Sequence, residues 1–225
     1  KVTPLFPSLT AITPRNYRYA ETISLKNVSL TLYIDGNEAQ NEFGDLDFTD
    51  GGIEGPIGFK VSRKAVKALA NGSRASVAID LKPAVGLEEI EKRIKKLWDE
   101  ISSDKRSEGK PYKTRFGVLL GKVLPMELIP LFMAGNPNCD HKRLASALKE
   151  WTMEIAGNVG YERCVVTAGG VSADEIVPKT LESRMTPGLY LAGEVLDLDA
   201  DTGGYNLHIA FSTGYLAGES AAKSL

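Results

Sequence analysis

The first part of the chain alternates apolar and polar residues between glycine and proline breaks, a period that is typical of strands. The segment VSLTLYID, residues 28–35, alternates in this way and is followed by Gly36 and Asn37, so it predicts a strand entering a hairpin. Further strands are predicted over residues 42–48 and 76–81. This part of the chain is therefore expected to be mostly β.

One helix is predicted among these strands. Gly55 and Pro56 precede a helical pattern that continues to about Leu69. Proline is well tolerated at the first helical position, because the amide hydrogen that it lacks would have no partner there. Residues 1–82 are therefore expected to form the β-rich part of a domain that also contains one helix.

The spacing of apolar residues changes to three and four over residues 83–156, which predicts a helical subdomain. Shorter helices are expected around residues 113–120 and 125–133. Two longer apolar stripes are each expected to form one helix. The first stripe consists of Leu87, Ile90, Ile94, Leu97 and Ile101. The second stripe consists of Leu144, Leu148, Trp151 and Ile155.

Beyond residue 156, two β-prone runs each end in glycine. Residues 163–167 are followed by the Gly-Gly pair at 169–170, and residues 189–192 are followed by Gly193. Glycine adopts backbone conformations that stop a strand, so both runs are predicted to be strands that end in tight turns.

The last predicted element is a helix that follows Gly204 and continues to about Ala222. Leu207, Phe211, Gly214, Gly218 and Ala221 recur on one face of it at spacings of three and four. Glycine on a buried helix face is less favourable than alanine by about 1 kcal/mol, so this face is expected to pack closely against a sheet. This order of strand, glycine loop and closely packed helix is the way a dinucleotide site is built. The helix N-terminus offers free amide hydrogens to the ligand.

The composition narrows the range of partners. The chain has 27 Lys and Arg against 29 Asp and Glu, a formal charge of −2, and this balance argues against nucleic acid as the main partner. With 43% apolar and 25% charged residues it is a globular protein with a core. Two cysteines, Cys139 and Cys164, favour a reducing compartment. No apolar run approaches the roughly 20 residues that span a bilayer, so no membrane partner and a cytoplasmic location are expected.

Several nucleotide and metal motifs fail on spacing. No two of the 22 glycines are separated by a single residue, so the pyrophosphate fingerprint GxGxxG is absent. The run DLDAD, residues 197–201, begins like a calcium loop, but Thr202 replaces the required glycine and His208 the required glutamate. Cys139 and His141 lack a second pair of ligands, so no metal site is predicted.

Longer strings resemble a known family. VTAGGVSADEI, TLESR and GLYLAGEVLDLDADTGGYNLHIAFSTGYLAG, with TPLFPSLTAI and LDFTDGGIEGP near the start, resemble a bacterial family of FAD-dependent oxidoreductases. This family is described as NAD(P)/FAD-dependent or aminoacetone-oxidase-like, and it includes a bile-acid dehydro-intermediate reductase. The resemblance covers essentially the whole chain.

The resemblance implies an α+β fold in which a β-rich inserted domain, with a nested helical subdomain, interrupts a split Rossmann-like FAD domain. Residues 1–82 and 157–186 would form the β-rich domain, 83–156 the helical subdomain, and 187–225 the C-terminal segment of the FAD domain. Family members open with a GxGxxG unit that this sequence lacks. The chain is therefore expected to be a C-terminal portion that is inactive alone and retains FAD poorly.

The resemblance also implies which residues lie against FAD: Thr167, Gly169, Gly170, Gly193, Glu194, Thr202, Gly203, Gly204, Tyr205 and Asn206. Glu194 would accept a hydrogen bond from a ribityl hydroxyl, or else be an exposed carboxylate at a strand end. The turn that ends at Gly204 would bring helix amides to the flavin pyrimidine edge, or else be a simple glycine turn. The pair Gly169 and Gly170 would lie beside the isoalloxazine ring, or else form a tight return turn.

The implied reaction is two-electron hydride transfer through flavin N5 to or from a small organic substrate, bound between the FAD domain and the insertion. No catalytic acid or base is assigned, and Tyr205 and His208 are candidates by position alone. NADH, NADPH and oxygen remain open as redox partners. The alternative function is a substrate-recognition or interaction module that folds without a cofactor.

Overall fold

The computed structural model describes residues 1–19 and 21–224 and shows a mixed α/β architecture. The strands are β1 (Phe6–Ser8), β2 (Ile12–Pro14), β3 (Ile23–Ile34), β4 (Asn37–Thr49), β5 (Gly52–Glu54), β6 (Ala75–Asp80), β7 (Trp151–Asn158) and β8 (Val166–Ala168). The helices are α1 (Gly55–Ala70), α2 (Leu87–Ser103), α3 (Tyr112–Val123), α4 (Ile129–Gly135), α5 (Leu144–Lys149) and α6 (Tyr205–Lys223). Over the described ranges, no helix combines the length and hydropathy that crossing a bilayer requires.

Six strands form a closed antiparallel barrel in the order β2, β5, β4, β3, β6, β7. Strand β7 pairs with β2, so Ile12 lies opposite Asn158. Large side chains fill the core, as is usual for a barrel of few strands. The Trp151 ring lies 5.3 Å from Phe48 and 5.4 Å from Phe132, between ring centroids. The barrel is therefore a packed body rather than a pore.

The predicted hairpin is confirmed as the connection between β3 and β4. Ile34 pairs with Asn37, so the two-residue loop lies one residue earlier than the predicted Gly36 and Asn37 and consists of Asp35 and Gly36. Their φ angles are +50° and +83°, and positive φ at both positions is the requirement of the hairpin turn that matches strand twist. The strand predicted over residues 42–48 is confirmed as part of the longer β4.

The first predicted helix is confirmed as α1, with Pro56 in its first turn. Its buried residues include Ile57, Val61 and Ala65, which recur every four positions. These side chains belong to the same hydrophobic core as the barrel strands. The helix therefore covers one side of the barrel and turns its polar face outward.

The helical region between β6 and β7 differs from the prediction at its end. Helix α2 buries Ile90, Ile94 and Ile101 as its stripe predicts, whereas Leu87 of the same stripe is 41% exposed. The prediction of one helix through Trp151 and Ile155 is wrong, because α5 ends at Lys149 and both residues are buried positions of β7. A spacing of four fits one face of a strand as well as one face of a helix. Residues 151–156 therefore belong to the barrel.

The two β-prone runs after β7 form less strand than predicted. Of residues 163–167, only the end enters β8, which pairs with β1 so that Thr167 lies opposite Pro7. The prediction of a strand over residues 189–192 is wrong, because this segment forms a single bridge, between Tyr190 and Glu182. A small second core gathers Ile176, Leu181, Leu196 and Ala217.

Helix α6 has the predicted extent, but its predicted buried face is exposed. Leu207 is 65% exposed and Phe211 is 74% exposed. A Cβ atom placed on Gly214 or Gly218 would meet open space. Within residues 1–19 and 21–224, no sheet packs on this face, and Ala217 is the helix residue that is buried. The glycine spacing identified an apolar face correctly but not what lies against it.

Candidate functional site

Glu194 joins the turn at Gly169 and Gly170 to the turn at Gly193. The backbone amide of Thr167 donates a hydrogen bond of 2.8 Å to its carboxylate oxygen Oε1. Thr167 lies in β8, and Glu194 lies in a short 3-10 turn, Gly193–Val195. Because a carboxylate accepts several hydrogen bonds, this exposed side chain joins the two turns and can still receive a donor from a ligand.

The Gly169 and Gly170 pair lies against the protein's own backbone. A Cβ atom on Gly169 would overlap the carbonyl oxygen of Pro4, and one on Gly170 would lie 2.5 Å from that of Val195. Their φ angles of +87° and +136° also favour glycine. The amide of Gly170 donates to Thr3 Oγ1 at 3.0 Å. The requirement for glycine at both positions is therefore explained by a tight return turn, and contact with FAD there stays a prediction.

The turn at Gly193 is anchored to helix α6. Its φ angle is +71°, and its amide donates to Thr213 Oγ1 at 2.9 Å. The Thr213 hydroxyl in turn donates to the carbonyl of Ile209 at 2.6 Å. Thr213 was not predicted as a site residue, because a hydroxyl within a helical pattern gives no sign of a partner outside the helix. It fixes the position of Glu194 relative to α6.

The N-terminus of α6 is open to solvent. Gly203 and Gly204 have φ angles of +120° and +87°, and a Cβ atom on Gly204 would meet open space. Gly204 precedes the first helical residue and carries no side chain that could cap the first amide groups. Tyr205 follows and is 61% exposed. The helix therefore presents its first amides and the positive end of its dipole to the surface.

Asn206 holds the loop before this helix. Its side-chain oxygen accepts from the amide of Ala200 at 2.8 Å, and its side-chain nitrogen donates to the carbonyl of Ala200 at 2.9 Å. Both polar ends of the side chain are thus used by the protein itself. Asn206 shapes the site through the loop, whereas direct contact with a cofactor stays a prediction.

Arg63 on α1 holds the same loop from the barrel side. Its Nε atom donates to Asp199 Oδ2 and its Nη1 atom to Asp201 Oδ1, each at 2.8 Å. Its Nη2 atom donates to the Asp199 carbonyl at 3.0 Å, and Ser8 Oγ donates to Asp199 Oδ2 at 3.3 Å. The sequence analysis considered the run DLDAD only as a failed calcium loop, and the sequence around Arg63 gave no sign that it was the partner of this run.

A cleft of about 330 Å³ opens between this loop, α6 and the start of β8. Five of the predicted site residues line it: Glu194, Thr202, Gly203, Gly204 and Asn206. Its apolar lining consists of Leu9, Val165, Val166, Leu198, Leu207, Ile209 and Ala210. Thr167, Gly169, Gly170, Gly193 and Tyr205 are not part of the lining. The cleft therefore has an apolar floor beside a helix N-terminus and two carboxylates, Glu194 and Asp199.

Leu9 forms part of the cleft wall in a strained backbone conformation. Its φ angle is +49°, although a bulky residue rarely adopts positive φ, and its side chain is only 2% exposed. The amide of Val165 donates to the carbonyl of Leu9 at 3.1 Å. Such strain persists only where the surroundings hold it, and it is often found at binding sites.

Other candidate groups offer little chemistry. Tyr205 and His208 are both exposed and lie outside the cleft lining. In the described part of the chain, no group of three His, Cys, Asp or Glu could hold a metal ion. Burial raises the pKa of the Cys139 thiol to about 11, so this side chain is a neutral thiol near pH 7 rather than a nucleophile.

Comparison with known proteins identifies relatives along the whole chain. Residues 9–220 match the family model described as HI0933-like protein Rossmann domain. The chain is 31% identical over 234 residues to a 3-dehydro-bile acid delta(4,6)-reductase of Clostridium scindens, covering 99% of this chain and 55% of that protein. It is 29% identical over 232 residues to a ribosomal RNA dihydrouridine synthase of Haemophilus influenzae, covering 98% and 53%.

A shorter match falls on an Escherichia coli protein, also a ribosomal RNA dihydrouridine synthase, with 40% identity over 87 residues. It covers 38% of this chain and 22% of that protein. The chain spans about half the length of the first two relatives. Because the family model covers most of the chain, the protein belongs to the HI0933-like Rossmann-domain family.

Proposed function

We propose that this chain forms one side of an FAD site in a flavin-dependent reductase, and that the cleft at the N-terminus of α6 receives the flavin. The observation that carries the proposal is this cleft, because its lining contains five of the residues that the family resemblance assigns to FAD contact. Its volume of about 330 Å³ lies in the usual range of ligand pockets, about 300–1,000 Å³. The apolar floor suits a flat aromatic ring, and the open space at Gly204 lets a ligand approach the helix amides.

When bound, the flavin would supply the two-electron chemistry. The first amides of α6 would stabilise negative charge at the bound ring, since the helix dipole is positive there. Glu194 would accept a hydrogen bond from a ligand hydroxyl. Arg63 and Asn206 would hold the loop that shapes the cleft, and Leu9 and Val165 would exclude water from its floor.

The proposed substrate is an unsaturated organic molecule. The names of the two longer relatives both denote reduction, one of a 3-dehydro-bile acid and one that yields dihydrouridine in ribosomal RNA. Hydride delivery to an unsaturated bond is the chemistry that these names share. The proposed electron donor is NADH or NADPH, which would supply the hydride in a cytoplasmic reductase.

The exposed face of α6 is proposed to pack against the rest of the cofactor domain. Leu207, Phe211 and Tyr215 are 65%, 74% and 75% exposed on this helix. Large exposed apolar patches usually mark an interaction surface. The chain spans about half the length of the Clostridium and Haemophilus relatives. The surface that covers this face of α6 would therefore come from the other part of the cofactor domain. In this arrangement the barrel, β2 to β7, is a domain inserted into that cofactor domain.

A second candidate function is a recognition module that folds without a cofactor. The observation that favours it is the barrel core, in which Phe48, Phe132 and Trp151 are fully buried by other residues of this chain. A body with its own core can fold before any cofactor binds. The two candidates differ in whether the complete protein retains flavin.

The test compares this chain with the product of its complete reading frame, both purified from the same host. Visible flavin absorbance in the longer product, and little in this chain, is the expected result. A Gly204→Val variant of the longer product should lose flavin, and a Gly72→Val variant, at another positive-φ glycine with open space, is the control. A folded, colourless longer product would contradict the proposal and favour the recognition module.

A further inference from the structure

A second concavity lies between helices of the helical region, away from the cleft at α6. It has a volume of about 150 Å³ and lies between α2, α3, α5 and the turn after β6. Its apolar lining consists of Val85, Ile90, Ile94, Leu97, Val123 and Leu148. We call this concavity the interhelical groove. It shares no lining residue with the cleft at α6.

Every charged residue of the groove lining is a cation. The remaining lining residues are Lys82, Arg93 and Lys122, each on a different wall. All three residues are exposed. Among the ion pairs formed by residues 1–19 and 21–224, none involves these three side chains. The groove therefore combines an apolar floor with three unpaired positive charges at its rim.

Some partly buried cations elsewhere on the protein lie beside an acid instead. Arg63, Lys60 and Lys149 each lie within ion-pairing distance of a carboxylate. The overall charge of the chain is −2, so a lining with three cations and no acid departs from the average surface. Such a rim attracts an anion, while the floor gains from contact with an apolar group.

The groove wall is held in place. The Nζ atom of Lys149 donates to the carbonyls of Lys82 and Val85, at 3.2 Å and 3.0 Å, and also forms an ion pair with Asp80. The Leu81 amide donates to the Leu148 carbonyl at 2.9 Å. The turn that carries Lys82 is thus fastened to α5, and the groove exists before a ligand arrives.

We propose that the interhelical groove binds a small amphipathic anion, an aliphatic chain that carries one carboxylate. The apolar tail lies on Ile90, Ile94 and Leu148, and the carboxylate lies at the rim among the three cations. A volume of about 150 Å³ holds about five water-sized groups, which fits a short aliphatic chain and excludes a protein segment.

Hexanoate is the probe, with hexanol and hexylammonium as uncharged and cationic analogues of the same chain length. Amide chemical shifts of the full chain report binding at Ile90, Val123 and the other lining residues. Hexanoate is expected to bind about tenfold more tightly than hexanol, since exposed ion pairs each contribute up to about 1 kcal/mol. Hexylammonium is expected to bind more weakly than both.

The variants Lys82→Gln and Arg93→Gln should each weaken hexanoate binding by about two- to fivefold and leave hexanol binding unchanged. Lys92→Gln is the matched control, because this neighbouring exposed lysine of α2 is not part of the lining. All three are surface changes, so thermal unfolding should show that each variant remains folded.

Equal affinities for the three probes would overturn the proposal, and so would shifts confined to residues outside the groove. An anionic lipid headgroup carries similar chemistry, so vesicles of phosphatidylserine form a separate arm. Binding to free hexanoate with none to vesicles supports the proposal, whereas binding to vesicles without binding to hexanoate overturns it. None of these readouts depends on flavin.

Discussion

Arg63 and Asp199 are joined through both the side chain and the backbone of the aspartate. Arg63 Nε lies 2.8 Å from the carboxylate oxygen Oδ2, and Nη2 lies 3.0 Å from the carbonyl oxygen. The two side chains are 30% and 17% exposed, so this pair is better shielded from water than most surface pairs. The loop before α6 is thereby tied to α1, although 136 positions separate the two residues.

Replacing Arg63 with Gln should loosen this loop. The variant loses charge-assisted hydrogen bonds and leaves two neighbouring carboxylates without their cation, which should lower the free energy of unfolding by about 2 kcal/mol. Hydrogen exchange of the amides from Asp199 to Asn206 should quicken. Arg106→Gln is the control, because Arg106 is 89% exposed in its ion pair with Asp104 and its loss should change stability by less than about 1 kcal/mol. Equal losses in both variants would contradict this reading.

Gly169 and Gly204 share a φ angle of +87° but differ in their surroundings. Gly204→Ala should lower the free energy of unfolding by about 1 kcal/mol, the usual strain of a left-handed residue. Gly169→Ala should lower it by more than about 3 kcal/mol, because its Cβ also overlaps the Pro4 carbonyl. Urea unfolding of the two variants measures the difference. Similar losses would show that the Pro4 segment moves away freely.

Leu9→Gly and Leu9→Ala should rank in an unusual order. Both remove the same buried side chain, but glycine relieves the strain at a φ angle of +49°. The glycine variant should therefore be as stable as the alanine variant or more stable by about 1 kcal/mol. At Leu46, buried within β4, glycine should be the less stable replacement. Chemical unfolding of the four variants tests the ranking.

Phe211→Ser should make the isolated chain less prone to associate. Phe211 is 74% exposed on the apolar face of α6, and Val118 on α3, at 48%, provides a control outside that face. Light scattering at rising concentration should fall for Phe211→Ser and change little for Val118→Ser. In the product of the complete reading frame, Phe211→Ser should instead lower stability, because it removes a residue proposed to be buried there.

Cys139 should react slowly with alkylating reagents near neutral pH. Burial raises the pKa of its thiol to about 11, and the thiolate is the reactive form. The rate of iodoacetamide labelling at Cys139 should rise up to about pH 11, with Cys139→Ser removing that signal. Because the folded pKa is above the unfolded one, this thiol should also make the protein less stable as pH rises from about 9 to about 11. Rapid labelling at pH 7 would contradict the burial.

Local patterns in the sequence predicted local structure well and failed where two structures share one pattern. The hairpin turn was predictable because glycine at position 36 readily adopts positive φ, but its loop, Asp35 and Gly36, lies one residue earlier than predicted. Trp151 and Ile155 were assigned to a helix because their spacing continued that of Leu144 and Leu148. Only the pairing of β7 with β2 and β6 shows that this segment is a strand and not a helix. Both partner strands lie far from β7 in the sequence.

Some residues of the candidate site could be predicted from local sequence, and others could not. The glycine turn at Gly203 and Gly204 and the helix after it were predictable from the chain itself, because glycine there permits positive φ. Arg63 and Thr213 were not, since each acts on a residue far away or on a turn outside its own helix. Residue types that permit a backbone shape are visible in a sequence, whereas the partners of an ordinary arginine or threonine are not.

The closure of the barrel by β2 and β7 has a consequence for the order of folding. These strands pair Ile12 with Asn158, so the last strand is synthesised long after the first. Until β7 emerges, β2 and β6 each present an unpaired edge, which is where chains associate wrongly. Pairing across so long a separation is slow. The helical region from α2 to α5 lies between these strands, and its early folding would shorten the distance that β7 must search.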